Sequence, residues 1–411
     1  MTRVLLAPVG SWGDVRPMLA LGRALAASGH AVSLAAPPDF EAEAGRLGFA
    51  FHAVGRSAEA FLHNESAAVV ARPIERLKVT SRYLVEELSV QFEGLARAAK
   101  GAELVVGASL QFAARSVAEA LGLPCRFVVF CPQALRSASH PPVIVPWQSM
   151  PGSANLFLWR ASDLFYDRLL TKALNRCRAD LGLASVRRYT GHMNAVPMIV
   201  ASDEALAPVP DDVRPRPVQS SAWHLDDDEA LSPDLEAFLA VGEAPLYMGF
   251  GSMTDPEPER TTAILAEASR ISGTRMVLAR GWAGLGRDPL PDEILAIDRA
   301  PHATLFPRVA AAVHHGGAGT TAAAARAGIP QLIVPHLLDQ FFWGARIYRL
   351  GLGPRPIPRS KLTVERLAGA FAALRSDPEY AQRARIMGET IRGADRLAET
   401  ASRLTSGTLR P

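Results

Sequence analysis

His314-His315-Gly316-Gly317-Ala318-Gly319-Thr320-Thr321 is the stretch of this 411-residue chain best equipped for chemistry. Three glycines within four positions allow a tight turn and let the backbone come close to a ligand. The apolar run Val309 to Val313 before it reads as a buried parallel strand, continuous rather than alternating. Thr320 and Thr321 are expected to cap a helix with its body at Ala322 to Ala327, ended by Gly328 ahead of Pro330. Strand, glycine turn and helix start together present free backbone N–H groups and the positive end of a helix dipole, an arrangement that holds phosphate. The dipole contributes only roughly 0.3–1 kcal/mol at an exposed site, so His315 and Thr320 are expected to add donors. A second apolar run, Gln331 to Val334, leads to a loop carrying His336, Asp339 and Gln340. Asp339 and Gln340 offer an acceptor pair and an amide to neighbouring hydroxyl groups.

The elements that must position these residues can be followed from the amino end. Arg3 to Val9 reads as a buried strand, Met18 to Ala27 as the helix after a glycine-bearing loop, and His30 to Ala36 as the next strand, closed by Pro37-Pro38. This is the β-α-β opening of a doubly wound α/β sheet. Phe49 to Val54, Leu104 to Ala108, Arg126 to Phe130 and Met198 to Ser202 read as further strands of the same unit. Helical stretches run from Glu59 to Lys100, broken at Pro73, and from Phe112 to Leu121. The first loop, Gly10-Ser11-Trp12-Gly13, lacks the GxGxxG spacing of a dinucleotide fold, and Asp39 lies beyond two prolines, badly placed for a ribose. Hydride transfer loses its support there.

Ala207 to Gln219, with four prolines and mixed charge, reads as a linker. A second sheet unit opens at Pro245 to Phe250 and continues at Arg275 to Ala279. The expected division is a first domain at 1–206, a linker at 207–225, a second domain at 226–385 and a terminal helix at 386–411. Asp226-Asp227-Asp228 invites a metal, but it precedes Glu229, Leu231, Leu235 and Phe238 at helical spacing. Solvated helix-start acids explain the run, and no metal is expected.

Size and composition fit two domains. A chain of 411 residues exceeds what one core usually serves, and 48% hydrophobic residues supply apolar surface for two. A net charge of +3 with scattered basic residues argues against nucleic acid. Cys125, Cys131 and Cys177, without a CxxC pair, fit reduced thiols and a cytoplasmic location. MTRVLLAPVG is too short for a signal peptide, and no run is long enough to span a bilayer. A soluble monomer or homodimer is the expectation.

HHGGAGTT, with PHLLDQ after the next strand, resembles the donor-site signature of nucleotide-sugar glycosyltransferases of the GT-B fold. The bacterial group that includes vancomycin-type, macrolide and sterol glycosyltransferases is the nearest in pattern. GSWGDVRPMLALGRAL resembles that group's GSRGDVxP segment, and PLYMGFGSM and VLARGWAGL, in the family's order, extend the likeness over nearly the whole chain. The resemblance implies two Rossmann-like domains facing across a cleft. The acceptor sits on the first and the sugar nucleotide on the second, and the last helix crosses back to the first.

The same resemblance implies that Asp14 is the general base, where plant relatives carry His. It would take the proton of an acceptor hydroxyl as that oxygen attacks the anomeric carbon. Capping the helix that begins near Pro17 is the plainer role for the same residue. Where plant relatives carry a second acid, this chain has Gly107-Ala108-Ser109, so no His–Asp relay is expected. Donor contacts are expected from Ser11, Gly13, Ser252, Trp282, His302, His315, Gly317, Ala318, Gly319, Thr320, Asp339 and Gln340, with Trp282 stacking on the base. Phe61, Phe112, His140, Trp147 and Met150, on loops at the carboxyl ends of strands, are expected to wall an apolar acceptor pocket. The implied reaction is one inverting displacement without metal or other cofactor. It moves a hexose, glucose or a deoxysugar, from a UDP- or TDP-sugar to a hydroxyl of an apolar small molecule, and Gln340 leans towards glucose. The alternative is a catalytically silent nucleotide-sugar-binding auxiliary, which would keep the glycine turn but lose Asp14 or Gln340.

Overall fold

β1 (Arg3–Val9) is buried from Val4 to Val9, on both faces, as a strand covered by helices on each side must be. It lies at the centre of a computed structural model that describes residues 1–57, 59–60, 73–225, 230–299 and 301–408. β2 (Ala31–Ala36), β3 (Ala50–Ala53), β4 (Leu104–Ser109), β5 (Cys125–Val129), β6 (Met198–Ala201) and β7 (Val218–Ser220) join it in the parallel order β3-β2-β1-β4-β5-β6-β7. A second parallel sheet holds β8 (Leu246–Gly249), β9 (Met276–Ala279), β10 (Ile294–Ile297), β11 (Ala311–His314) and β12 (Gln331–Ile333), in the order β10-β9-β8-β11-β12. These are the two doubly wound domains of the GT-B fold.

Each sheet reverses its order once, between β1 and β4 in the first and between β8 and β11 in the second. Connections leave such a point towards opposite faces, which opens a crevice at the carboxyl ends of the strands. Val9 pairs with Ser109 and Gly249 with His314, so the residues just past those pairs line the two crevices.

Several boundaries differ from the sequence reading, each for a local reason. The helix after β1 runs Trp12–Ala27 rather than from Met18, because Ser11 caps it and Asp14 closes a capping box. The helix after β11 starts at Ala318 with Gly317 as its cap, so Thr320 and Thr321 lie inside its first turns and do not cap it. The stretch 207–225 is only partly a linker. Val218–Ser220 adds an edge strand, Ala207 is buried, and Val209 and Val213 are buried between the prolines. The proline-rich run after β5 gives way at Gly152 to a helix of 29 residues ending at Asp180. β10 also had no counterpart in the sequence reading. Phe61 and Asp226-Asp227-Asp228 lie outside the described residues.

Leu6, Met18, Leu21, Leu34, Phe40 and Val106 centre the first core, and Met248, Phe250, Leu265, Met276 and Phe371 the second. The helix Pro378–Gly393 packs on Ala318–Ala327 within the second domain. The chain crosses only after it, at residues 394–396 rather than at 386, and Leu397–Thr405 packs on Trp12–Ala27. Ala401 and Leu404 join the first-domain core beside Trp223 and Leu225. Polar bonds fix the same junction: Ser220 Oγ and Thr400 Oγ1 are 2.8 Å apart, and the Arg396 N–H donates to Ser221 Oγ at 2.9 Å. Truncating Leu404 to alanine should therefore lower stability by about 2–5 kcal/mol. Urea unfolding measures this, and an unchanged midpoint would mean that the last helix does not lock the domains together.

Candidate active site

The turn after β11 is built by a buried relay. His314 Nδ1 accepts from the Gly316 N–H at 3.1 Å, so Nε2 carries the proton and donates to Gln331 Oε1 at 2.9 Å. Gln331 Nε2 in turn donates to Thr321 O at 3.2 Å. Burial pulls His314 down to about 4, so the ring is neutral and the relay persists at neutral pH. Gly316 has φ +92°, and a Cβ there would lie 2.5 Å from Ile333 Cγ2. Only glycine fits.

Gly317 caps the next helix but has no side chain, so no side-chain bond closes that amino end. His315 lies between two glycines. A Cβ on Gly317 would come within 2.5 Å of its Nε2, and one on Gly251 within 3.0 Å of its Cε1. His315 Nδ1 is buried without a hydrogen-bond partner. Burial, then the neighbouring His314, His336 and His302, hold the ring well below the usual histidine range. An uncapped helix end beside an unpaired neutral imidazole is a receptor for an anion's oxygens.

The loop after β8 completes this side. The Trp282 N–H donates to Gly251 O at 3.1 Å. Gly281 has φ +48°, and a Cβ there would meet the same oxygen at 2.5 Å. Ser252 and half-buried Trp282 therefore ride on two joined loops at the carboxyl ends of β8 and β9. His302 is stacked on Phe306 at 4.3 Å, with Nε2 3.4 Å from the Tyr247 hydroxyl, and burial takes it to about 3. His336, a residue the sequence reading noted without assigning to the site, sits edge-on to Phe250 at 4.6 Å with Nε2 buried and unpaired.

Gln340 departs from the expectation. Its amide oxygen accepts from the N–H groups of His336 at 2.8 Å and Leu337 at 3.0 Å, and its Nε2 reaches Met253 Sδ. The amide is occupied in shaping the loop, because two backbone N–H groups there need a partner inside the protein. Asp339 Oδ2 accepts from Trp343 Nε1 at 3.1 Å. Burial, with the like charge of Asp14 as a further cause, lifts Asp339 to about 6. Asp14, on the loop after β1, and Asp339, on the loop after β12, thus lie near enough across the cleft for their charges to interact.

On the first domain, Asp14 Oδ2 accepts from Ser11 N at 2.8 Å and from Ser11 Oγ at 3.3 Å, and the Ser109 hydroxyl also bonds the carboxylate. Gly10 makes room, since a Cβ there would stand 2.2 Å from Oδ2. Burial raises Asp14 above the usual carboxylate range, while these bonds oppose it. Capping and a place in the cleft are therefore compatible for this residue. Ser11 and Gly13 belong to this same turn, with the Gly13 N–H donating to Ser11 Oγ at 3.3 Å.

The expected acceptor wall is not assembled as such. Phe112 fills the first-domain core, edge-on to Tyr189 at 6.1 Å, because the chain turns straight into the helix Ala114–Ala120. His140 is buried between Trp159 and Phe342, sealing the two domains instead of lining a pocket. Trp147 is 66% exposed, and the Met150 carbonyl lies 3.5 Å from Asn155 Nδ2. Among the described residues, no cluster of His, Cys, Asp and Glu is placed to hold a metal, and no helix is long and apolar enough to cross a membrane.

Facing doubly wound domains, with an anion receptor on one side of the cleft and carboxylates on both, define a glycosyltransferase of the GT-B type. Residues 4–139 match the glycosyltransferase family 28 N-terminal domain, and residues 263–406 match the erythromycin biosynthesis protein CIII-like C-terminal domain. Glycosyltransferase GtfE of Amycolatopsis orientalis is 37% identical, over 95% of this chain and 94% of its own. Vancomycin aglycone glucosyltransferase of the same organism is 38% identical at the same coverage. In fold, the calicheamicin glycosyltransferase CalG4 is similar with a TM-score of 0.73 and 21% identity, over 100% of each chain. The chain belongs to the vancomycin-type family of antibiotic glycosyltransferases.

Asp339 carries a testable consequence. Its carboxyl titrates at about 6 when folded against an ordinary 3.8, so the folded state binds the extra proton between those values. Stability then falls as pH rises through that window and stays lowered above it. Asp339→Asn removes this penalty and keeps an acceptor for Trp343. The variant should exceed the wild type by up to about 3 kcal/mol above the folded value, an advantage that shrinks as the solution is acidified. Urea midpoints on either side of the window check the sign.

Proposed function

We propose that the protein is an inverting glycosyltransferase that moves a hexose, glucose or a deoxysugar, from a UDP- or TDP-sugar to a hydroxyl of an apolar natural-product aglycone. The observation that carries this is the pairing of an uncapped helix end and the unpaired His315 nitrogen with a carboxylate opposite. The diphosphate rests on the N–H groups of Ala318, Gly319 and Thr320, with His315 donating from its neutral ring. Ser252 bonds the nucleotide and Trp282 stacks on its base. Asp339 reads sugar hydroxyls, while Gln340 keeps the loop that presents it.

Asp14 takes the acceptor proton as the acceptor oxygen bonds to the anomeric carbon from the face opposite the departing diphosphate. That bond forms as the carbon–oxygen bond to the diphosphate breaks, which inverts the centre. A buried carboxylate whose proton affinity is raised is a better base near neutral pH than a free aspartate. Charge growing on the leaving group is met by dipoles already in place, which take the role a divalent ion plays elsewhere. Among the relatives, a dTDP-epi-vancosaminyltransferase supports a TDP-sugar donor, and a vancomycin aglycone glucosyltransferase and a sterol 3-beta-glucosyltransferase support transfer of glucose to a bulky acceptor.

Asp14→Asn should abolish transfer while leaving dTDP or UDP binding intact, which pairs a mass-spectrometric transfer assay with a fluorescence titration. Unchanged turnover would remove Asp14 as base. His315→Ala should lower turnover at least about tenfold, within the range for one lost transition-state donor. EDTA should leave the rate unaltered, and activity restored only by Mg²⁺ would overturn the mechanism. A panel of phenolic, macrolide, glycopeptide and sterol acceptors against UDP-glucose and a TDP-sugar tests the substrate class. Sugar-nucleotide binding without transfer to any of them would favour the silent auxiliary.

A further inference from the structure

Among the described residues, left-handed backbone at a non-glycine position occurs at Ser109, φ +58°, and at Leu338, φ +51°. Each stands beside one of the facing carboxylates. The Ser109 hydroxyl bonds Asp14, and Leu338 immediately precedes Asp339. Backbone strain that survives in a fold tends to sit where side chains must be held for a task.

Ser109 ends β4 in register with Val9, and the Leu110 N–H donates to Val9 O at 3.1 Å. The left-handed bend therefore falls one strand away from the Asp14 loop, at the switch point of the sheet. Glycine would adopt the same φ without strain. What serine adds is a hydroxyl. Both Ser11 bonds come from Asp14's own helix turn and move with it. The Ser109 bond instead ties the carboxylate to the neighbouring strand.

We infer that Ser109 is a positioning residue for sugar transfer: left-handed backbone at the end of β4 brings its hydroxyl onto the Asp14 carboxylate and pins that group in the β1–β4 crevice. This rests on Asp14 acting as the base. A hydroxyl that donates to a carboxylate favours its ionised form, against the burial that favours the proton. Without it, Asp14 keeps its proton to higher pH.

Three substitutions separate the hydroxyl from the strain. Ser109→Ala keeps a Cβ, and with it the strain, but loses the donor. Its kcat should fall at least about tenfold, the acid limb of its rate–pH profile should move to higher pH, and dTDP affinity should hold. Ser109→Gly loses both, so it should melt above Ser109→Ala yet share the loss of rate. Ser109→Asn tolerates the left-handed region and supplies an N–H donor, so its acid limb should return towards that of the wild type. Wild-type kcat and acid limb in Ser109→Ala would overturn the inference, and so would recovery of rate in Ser109→Gly. Asp14→Asn run in parallel keeps the two ideas apart. If it is inactive while Ser109→Ala is normal, only the role of Ser109 fails. If it turns over normally, the base reading itself fails.

Discussion

An oxyanion can rest between two buried sheets only where backbone N–H groups have no other partner. Most features of the second domain's switch point serve that condition. At Ser11, Ser232 and Thr363 a hydroxyl takes an early N–H of its helix, and those ends are closed by the protein itself. At Gly317 nothing does so. The end stays open because the turn before it is held from behind, by His314, Gln331 and Thr321, rather than from within. Glycines at 316, 317 and 251 then clear the volume that the His315 ring occupies.

Charge in the cleft follows from burial. His302, His314 and His336 are pulled to between about 3 and 4, so the histidines offer neutral donors. Asp14 on the first domain and Asp339 on the second are each raised by burial, and the like charge of Asp14 is a further cause at Asp339. Two such groups resist ionising together. In the proposed reaction one serves as the base while the other answers sugar hydroxyls.

How much of this could be read from the chain depended on whether the signal was local. Continuous apolar runs marked β1, β2, β4, β5, β6 and β11, and the glycine cluster marked the anion turn, because backbone freedom and burial leave compositional traces within a few residues. Helix starts were read too late at Met18 and Ala322, since the capping box at Ser11 and the bare cap at Gly317 are set by the turns before them. Long-range partners left no trace. His140 is sealed by Trp159 and by Phe342 of the other domain, and Gln340 is drawn to backbone groups four and three residues back. Phe112 looked like a pocket residue because it follows a strand, but the chain turned it into the core. The sign of φ at Ser109 has no sequence signature at all.

The two halves of the cleft solve the same problem by opposite means. On the donor side the backbone is the ligand, so glycine supplies left-handed and close-packed positions without strain. In the proposed reaction a side chain does the work on the acceptor side, and the residue inferred to steady it carries a hydroxyl. Glycine at position 109 would relieve about 1–3 kcal/mol of backbone strain but would leave Asp14 tied only to its own helix turn. A sheet of seven strands, closed at its far edge by β7 and by the returning Leu397–Thr405 helix, is rigid enough to hold the strained bend. The crossing of the carboxyl-terminal chain packs its last helix against the helix that carries Asp14. In the proposed reaction it braces the domain that would take the acceptor's proton, while the aromatic seam at His140 and Phe342 joins that domain to the one that would hold the diphosphate.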